Sequence, residues 1–452
     1  MEVIIPNNNI IERTYIISLL CNQFLSLPIN ISVTEGEIQA YVFIINGKKL
    51  IIKDCFFSHH RVPLSYMDLK NIPKNLNWLV EDEYIDNRIP IIYGDNYLKI
   101  ESNKIECGVD IFASAFFMLS RWEEILLPKD QFGRCDENEM FVVKHGLEKR
   151  PLVNEYVELL QFLLEKIGVD IPAQKRKFTP FITHDVDDLF RYESPNNFIR
   201  NIAGDILHRK SFRALSLTLK NYLKFRLGQI KDPFDTFDLI MDISEEFNFK
   251  NAFYFKASIY GEYDATYDIF DPKVKKIISH IQNRRHEVGF HPSKNTFHNE
   301  TQFKLEAQRL SSLGVNIKGG RQHFLLYDLP ETIRMWNNNG MEYEAGLGFA
   351  SHAGFRCGTC HEYPFFDVYQ RKELSIKIRP LILMEGALFQ FDKIRTLDSI
   401  EQEIKELIDI VVQYKGLFVF LWHNDQFNRY EALKRAPLYK KIVEYFYSNK
   451  TT

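Results

Sequence analysis

Three aspartates, Asp185, Asp187 and Asp188, stand within four positions directly after the β-prone run Phe181-Ile-Thr183, itself preceded by Thr179-Pro180. Carboxylates this close repel, which raises the pKa of one of them or demands a cation, so the cluster suits a metal site, a general base, or both. The plainer alternative is an Asp-rich turn that caps the next helix. Further along, polar residues recur beside predicted strands: His286, His291 and Asn295, then Arg321 with His323, then His423-Asn-Asp425 after the apolar Phe418-Val-Phe-Leu-Trp422. In α/β folds ligands sit at the carboxyl ends of strands, and in a parallel barrel such ends converge on one mouth, where a carboxylate and one or two imidazoles can share a metal. A lone His at such a place is more often a hydrogen-bonded core or surface residue than a ligand. Four polar strand ends in register are the stronger signal.

The elements that must position these residues follow a strand-helix rhythm. The periodicity predicts helices over Phe234–Phe247, Val274–Arg284, Gln302–Leu313 and Pro330–Asn338, with strands at Asn251–Lys256, Glu287–Phe290, Val315–Lys318, near Tyr343, at Ile376–Ile378 and at Leu417–Trp422. Such alternation argues a parallel α/β sheet or barrel. Before it, residues 1–171 read as a smaller α+β domain: a helix from Arg13 to Leu25, alternating strands at Ile38–Ile45 and Leu50–Ile52, a strongly apolar helix over Asp110–Leu126 with Asp110 as N-cap, and a helix over Asn154–Ile167. The domain cut is expected near Ile171, leaving 172–452 as the second domain. A basic, amphipathic insertion over about 191–231 carries Arg200, Arg209, Lys210, Arg213, Lys220, Lys224, Arg226 and Lys231; its pattern fits a solvated helical face, or a membrane-surface or polyanion-binding one.

Hydrophobic residues make up 45% and charged residues 26% of the 452, enough for two buried cores, and the net charge of -3 argues against a general nucleic-acid binder. The opening Met1–Asn9 lacks a basic region followed by an apolar core, and no run approaches membrane-spanning length, so a cytoplasmic protein is expected. The six scattered cysteines do not form a disulfide framework. Cys357-Gly-Thr-Cys360-His361 matches a covalent haem spacing, but that attachment requires export, and two small buried residues in a turn is the expected role. Trp336, Tyr343, Phe349 and Trp422 are sugar-stacking candidates by type and core residues with at least equal weight.

With these residues in view, the stretch from about Thr179 to Asp425 resembles the polysaccharide deacetylases of carbohydrate esterase family 4, metal-dependent hydrolases on an irregular (β/α) barrel. Thr183-His-Asp185-Val-Asp187 looks like that family's opening motif in a variant with one residue between the acids, His286-Glu-Val-Gly-Phe-His291 like the approach to its second motif, and Leu421-Trp-His423 like its closing Leu-x-His. The first domain, with its Phe-Ala-Ser-Ala-Phe-Phe-Met-Leu-Ser-Arg helix, is similar to an uncharacterised module at the front of such chains.

The resemblance implies that Asp187 binds the metal, with His291 as the next ligand. It makes Asp185 the general base, Arg321 the residue that holds it ionised and oriented, and His423 the general acid. At the family's second His this chain has Asn295, in His291-Pro-Ser-Lys-Asn295; an amide oxygen suits a harder cation than zinc, and His298 or His286 are the alternative third ligands. The third motif is also altered, to Arg321-Gln-His-Phe324. What is implied is removal of N-acetyl groups from an N-acetylated sugar or glycan precursor, with a divalent metal, zinc first and Co, Ni or Mn as alternatives. A non-catalytic or weakly active carbohydrate-binding barrel, or hydrolysis of a non-sugar amide, are the competing readings, because fold alone does not fix substrate.

Overall fold

A computed structural model describes the chain except residues 35, 37, 80–87, 193–197, 200–201, 204–205, 208–211, 260–265, 390–395, 428–434 and 451–452. The basic positions Arg200, Arg209 and Lys210 lie outside the described residues. The chain divides into two compact units, one of Met1–Lys177 with Leu325–Ile382, the other of Phe178–Phe324 with Leu383–Thr452. The first cut thus falls at Lys177, where the sequence places it near Ile171, and residues 325–382 fold with the N-terminal segment.

The first unit holds a six-stranded sheet in the order Asn30–Thr34, Glu2–Pro6, Ala40–Ile45, Lys48–Lys53, Lys104–Val109, Gly94–Ile100. Its helix Ile111–Ser120 is buried at every residue, which explains a sequence apolar on all faces. Asp110 caps it as expected: Oδ1 accepts from the Ala113 N–H at 3.0 Å, and Oδ2 accepts from the N–H groups of Cys55 and Phe56. The helix does not run on to Leu126 in one piece. Arg121 adopts φ 54°, a left-handed conformation, and a short helix Trp122–Leu126 follows. The break turns the Arg121 guanidinium onto Glu123 and Glu124, and Arg356, from the returning segment, makes a two-pronged pair with the same Glu124, all in the interior. Tyr363 donates its hydroxyl to Leu119 O at 3.0 Å. These contacts hold residues 325–382 in this unit. The helix expected from Arg13 runs over Ile10–Ser18 and continues as a π-helical turn, Leu19–Phe24. Cys357 and Cys360 are buried free thiols, the first in a turn closed by Gly358 N–H on Phe355 O. Burial and the neighbouring Arg176 push His361 down to about 3.

The second unit contains a parallel sheet in the order Gly319–Gly320, Glu287–Phe290, Asn251–Phe255, Thr179–Val186, Leu417–Leu421. Among the described residues the sheet curls without closing on itself, a half-barrel where the resemblance implied an irregular barrel. Helices Phe237–Glu246, Pro272–Asn283, Glu300–Ser311, Leu397–Gln413 and Ala436–Lys450 alternate with the strands. Asn251–Phe255 is buried at all five positions, as a parallel strand covered on both faces must be. Helix starts follow local chemistry: Asp271 caps Lys273 N–H ahead of Pro272, Asn299 caps Gln302 N–H, and Thr396 caps Ser399 N–H. No helix among the described residues is long and apolar enough to cross a membrane.

Candidate active site

Parallel register brings the polar residues together. Val186 pairs with Phe255, Phe255 with Phe290 and Phe290 with Gly320, so the residues one step beyond, Asp187, Lys256, His291 and Arg321, stand side by side at the carboxyl edge of the sheet. Leu421 pairs with Thr183, which brings His423 level with Asp185. Side chains alternate along a strand, so Asp185 and Asp187 share one face while His184 points to the other, where its Nδ1–H donates to Trp422 O at 2.6 Å. The close approach of Gly320 depends on its lacking a side chain: a Cβ there would lie 1.8 Å from Phe290 O.

Asp185 is buried against Arg321, whose Nη1 donates to its Oδ1 at 2.7 Å while Nη2 donates to Thr183 Oγ1 at 2.8 Å. Thr183 in turn donates to Phe420 O, which fixes the fork. Burial pushes the Asp185 carboxyl up, but the Arg321 charge, with His291 and His423, outweighs it and holds the group below its ordinary value. On the opposite side His423 Nδ1 meets Glu385 Oε1 at 2.6 Å and its Nε2 lies 3.6 Å from Asp187 Oδ2. Burial works against its charged form, yet Glu385 prevails and raises the imidazole to about 9. One end of the site therefore offers an ionised carboxylate and the other an imidazolium.

Between them lie Asp187, His291 and His323, one donor atom from each, all within 4.8 Å of one another. The donor set fits a divalent cation on two observations. His291 Nδ1 is 2.7 Å from the Arg321 carbonyl, which can only accept, so Nδ1 carries a proton and Nε2 is the atom turned toward Asp187 Oδ1 at 3.4 Å and Asp185 Oδ2 at 3.7 Å. Asp187 Oδ1 is itself buried without a hydrogen bond, although His291, His323 and Lys256 nitrogens surround it at 3.3 to 3.4 Å. Nitrogen and carboxylate donors converging at these separations fit a shared cation. Burial pushes Asp187 up; Lys256 first, then His323 and His291, bring it well below the ordinary range.

Asp185, Asp187, His291, Arg321 and His423 lie together at this edge of the sheet. Asn295 does not join them. It lies exposed on the 3₁₀ turn Lys294–Thr296, because Ser293 donates both its N–H and its hydroxyl to the buried Glu306 and turns the segment outward. His298 is exposed as well, and His286 sits at the amino end of its strand, where Nδ1 accepts from Asn251 N–H and Nε2 meets Glu245. His323 occupies the third position instead. Its neighbour Phe324 adopts φ 58°, an uncommon conformation for a bulky residue, and the two rings stack at 4.0 Å. Lys256 and Glu385 were missed by the sequence reading. Lys256 ends a predicted strand as the other site residues do, which was the available signal; no spacing marks Glu385. Trp336, Tyr343, Phe349 and Trp422 are all buried and pack cores.

Three comparisons bear on this chain. Residues 1–168 match a family described as a family of unknown function (DUF7033). No curated protein matches. Among solved structures, one from Mycobacterium smegmatis, provisionally described as a polysaccharide deacetylase, is similar at 15% identity and TM-score 0.37 over 61% of this chain and 86% of its own. Another, from Bordetella bronchiseptica and provisionally described as a polysaccharide deacetylase of O-antigen biosynthesis, has 13% identity and TM-score 0.30 over 59% of this chain and 81% of its own. Likenesses this faint carry no argument about chemistry.

Proposed function

We propose that the chain is a metal-dependent hydrolase that removes an acetyl group from an N-acetylated sugar or glycan precursor. The observation that carries this reading is the Asp187, His291 and His323 donor set flanked by a carboxylate clamped to Arg321 and an imidazolium clamped to Glu385. Asp187, His291 and His323 would hold a divalent cation, which would polarise an acyl oxygen and acidify a water when bound. Such mixed ligands suit zinc, and also Co, Ni or Mn.

The remaining chemistry belongs to the protein. Asp185, kept ionised by Arg321, takes a proton from the attacking water. Arg321 is a positioning residue, since both its branches are engaged by Asp185 and Thr183. His423, protonated through Glu385, gives its proton to the departing amine as the C–N bond breaks, so acetate and a free amino sugar result. Lys256 adds a fixed positive charge beside Asp187, favouring the ionised carboxylate. The test is acetate release from a panel of N-acetylated sugars and oligosaccharides by the wild type and by Asp185→Asn and His423→Gln. The reading predicts release by the wild type and losses of about 10²- to 10⁴-fold in each variant. Unchanged release in either variant would remove it from the mechanism, and a metal-loaded wild type inert on every acetamide would contradict the reading.

A further inference from the structure

We propose that the helix Phe212–Arg226 of the insertion is a docking surface for an anionic lipid bilayer. From Phe212 to Lys231 the sequence holds five basic residues, Arg213, Lys220, Lys224, Arg226 and Lys231, and no acidic one, in a chain whose net charge is -3. The helix exposes apolar side chains in a single stripe: Phe212, Leu219 and Leu223 recur at helical spacing and are 89%, 41% and 62% exposed, and Leu227, one turn past the last of them, is 71% exposed. The stripe runs about 22 Å at 1.5 Å per residue. Lys220 and Lys224 flank it on one side and Arg226 on the other, and none of these three makes an ion pair among the described residues.

The opposite face is anchored. Tyr222 and Phe225 pack on Tyr192 with ring centroids 5.7 and 5.8 Å apart, and Thr218 is buried. Both ends of the insertion are tied by one carboxylate: Asp232 Oδ1 accepts from the Arg191 and Phe234 N–H groups, and Oδ2 accepts from the Tyr192 N–H. The helix therefore has a fixed inner face and presents its leucines outward, with basic residues at both rims. Charge complementarity selects the occupant. A second copy laid on this face would bring the lysine rims together, and a nucleic acid would use the charges without burying an aliphatic stripe. A bilayer with anionic headgroups satisfies both features, the leucines entering the acyl boundary and the lysines the headgroup layer. This surface does not depend on the reaction proposed above.

The test is flotation of the full chain with vesicles of phosphatidylcholine alone and of an equimolar phosphatidylcholine and phosphatidylglycerol mixture, at low and high salt. Leu219→Gln with Leu223→Gln, and Lys220→Glu with Lys224→Glu, form the two variants, each checked for an unchanged melting curve. The proposal expects binding to the anionic vesicles only, weakened by salt and reduced about tenfold in each variant. It is overturned if the wild type stays unbound or floats equally with neutral vesicles. Binding that survives both variants would overturn it as well. A wild-type dimer that the leucine variant dissociates, with no vesicle binding, would make a second copy the occupant. Binding to duplex DNA that the leucine variant retains, again without vesicle binding, would make the face a polyanion site.

Discussion

A carboxyl buried as deeply as Asp185 would be neutral on its own, and a buried imidazole such as His423 would be uncharged. Each is driven the other way by one partner, Arg321 for the acid and Glu385 for the imidazole. The pH profile of deacetylation should reveal both. Replacing Arg321 with Met removes the charge that depresses Asp185, so its pKa rises and the acidic limb of kcat/KM moves to higher pH. Replacing Glu385 with Gln removes the anion that raises His423; the acid form is then lost at lower pH, and the alkaline limb moves down from the wild-type position. A variant whose limbs do not move would show that its partner does not set the titration. At this scale part of the site was legible, because Asp187 and His291 each stand one step past a strand that apolar residues already mark, whereas Arg321 follows Gly319–Gly320 and the strand expected at Val315–Lys318 does not form. His323 was harder to assign, since its place depends on the turn at Phe324, and Asn295 was misplaced because spacing cannot report that Ser293 and Glu306 turn the segment outward.

At the scale of elements, the site depends on how closely the strands approach. Gly320→Ala would set a methyl against Phe290 O, and the resulting shift of neighbouring strands should cost about 1 to 3 kcal/mol in denaturant unfolding and displace Arg321 from Asp185. An alanine variant with wild-type stability and activity would show that the strands have room. Strand and helix identities followed from periodicity, with ends misplaced by a few residues. The run Asp110–Leu126 shows why: it holds no Gly or Pro to mark a break, and the turn at Arg121 comes with buried pairs to Glu123 and Glu124 that periodicity does not report.

For the whole molecule, the same ionic cluster decides which residues fold together. Burial raises the Glu124 carboxyl, but Arg356 and Arg121 overcome this and lower it to about 2. A depressed folded pKa contributes stability that is present above the unfolded value of about 4.3 and is lost as pH falls through the folded one. Acid unfolding followed by circular dichroism should therefore show a loss of stability from about pH 4 toward pH 2 that is much reduced in a Glu124→Gln variant, itself less stable at neutral pH by about 3 to 5 kcal/mol. Two units were expected from length and composition. That residues 325–382 join the first was not legible, because their strand-helix pattern continues that of the preceding residues and periodicity does not say which core receives it.

The most direct measurement is the metal content of the purified chain, by elemental analysis after loading with zinc, for the wild type, His323→Ala and Asn295→Ala, with acetate release recorded on the same samples. The account predicts about one equivalent of metal in the wild type and in Asn295→Ala, and loss of both metal and acetate release in a folded His323→Ala. Metal lost from Asn295→Ala but retained by His323→Ala, or no metal in any of the three, would contradict the site described here.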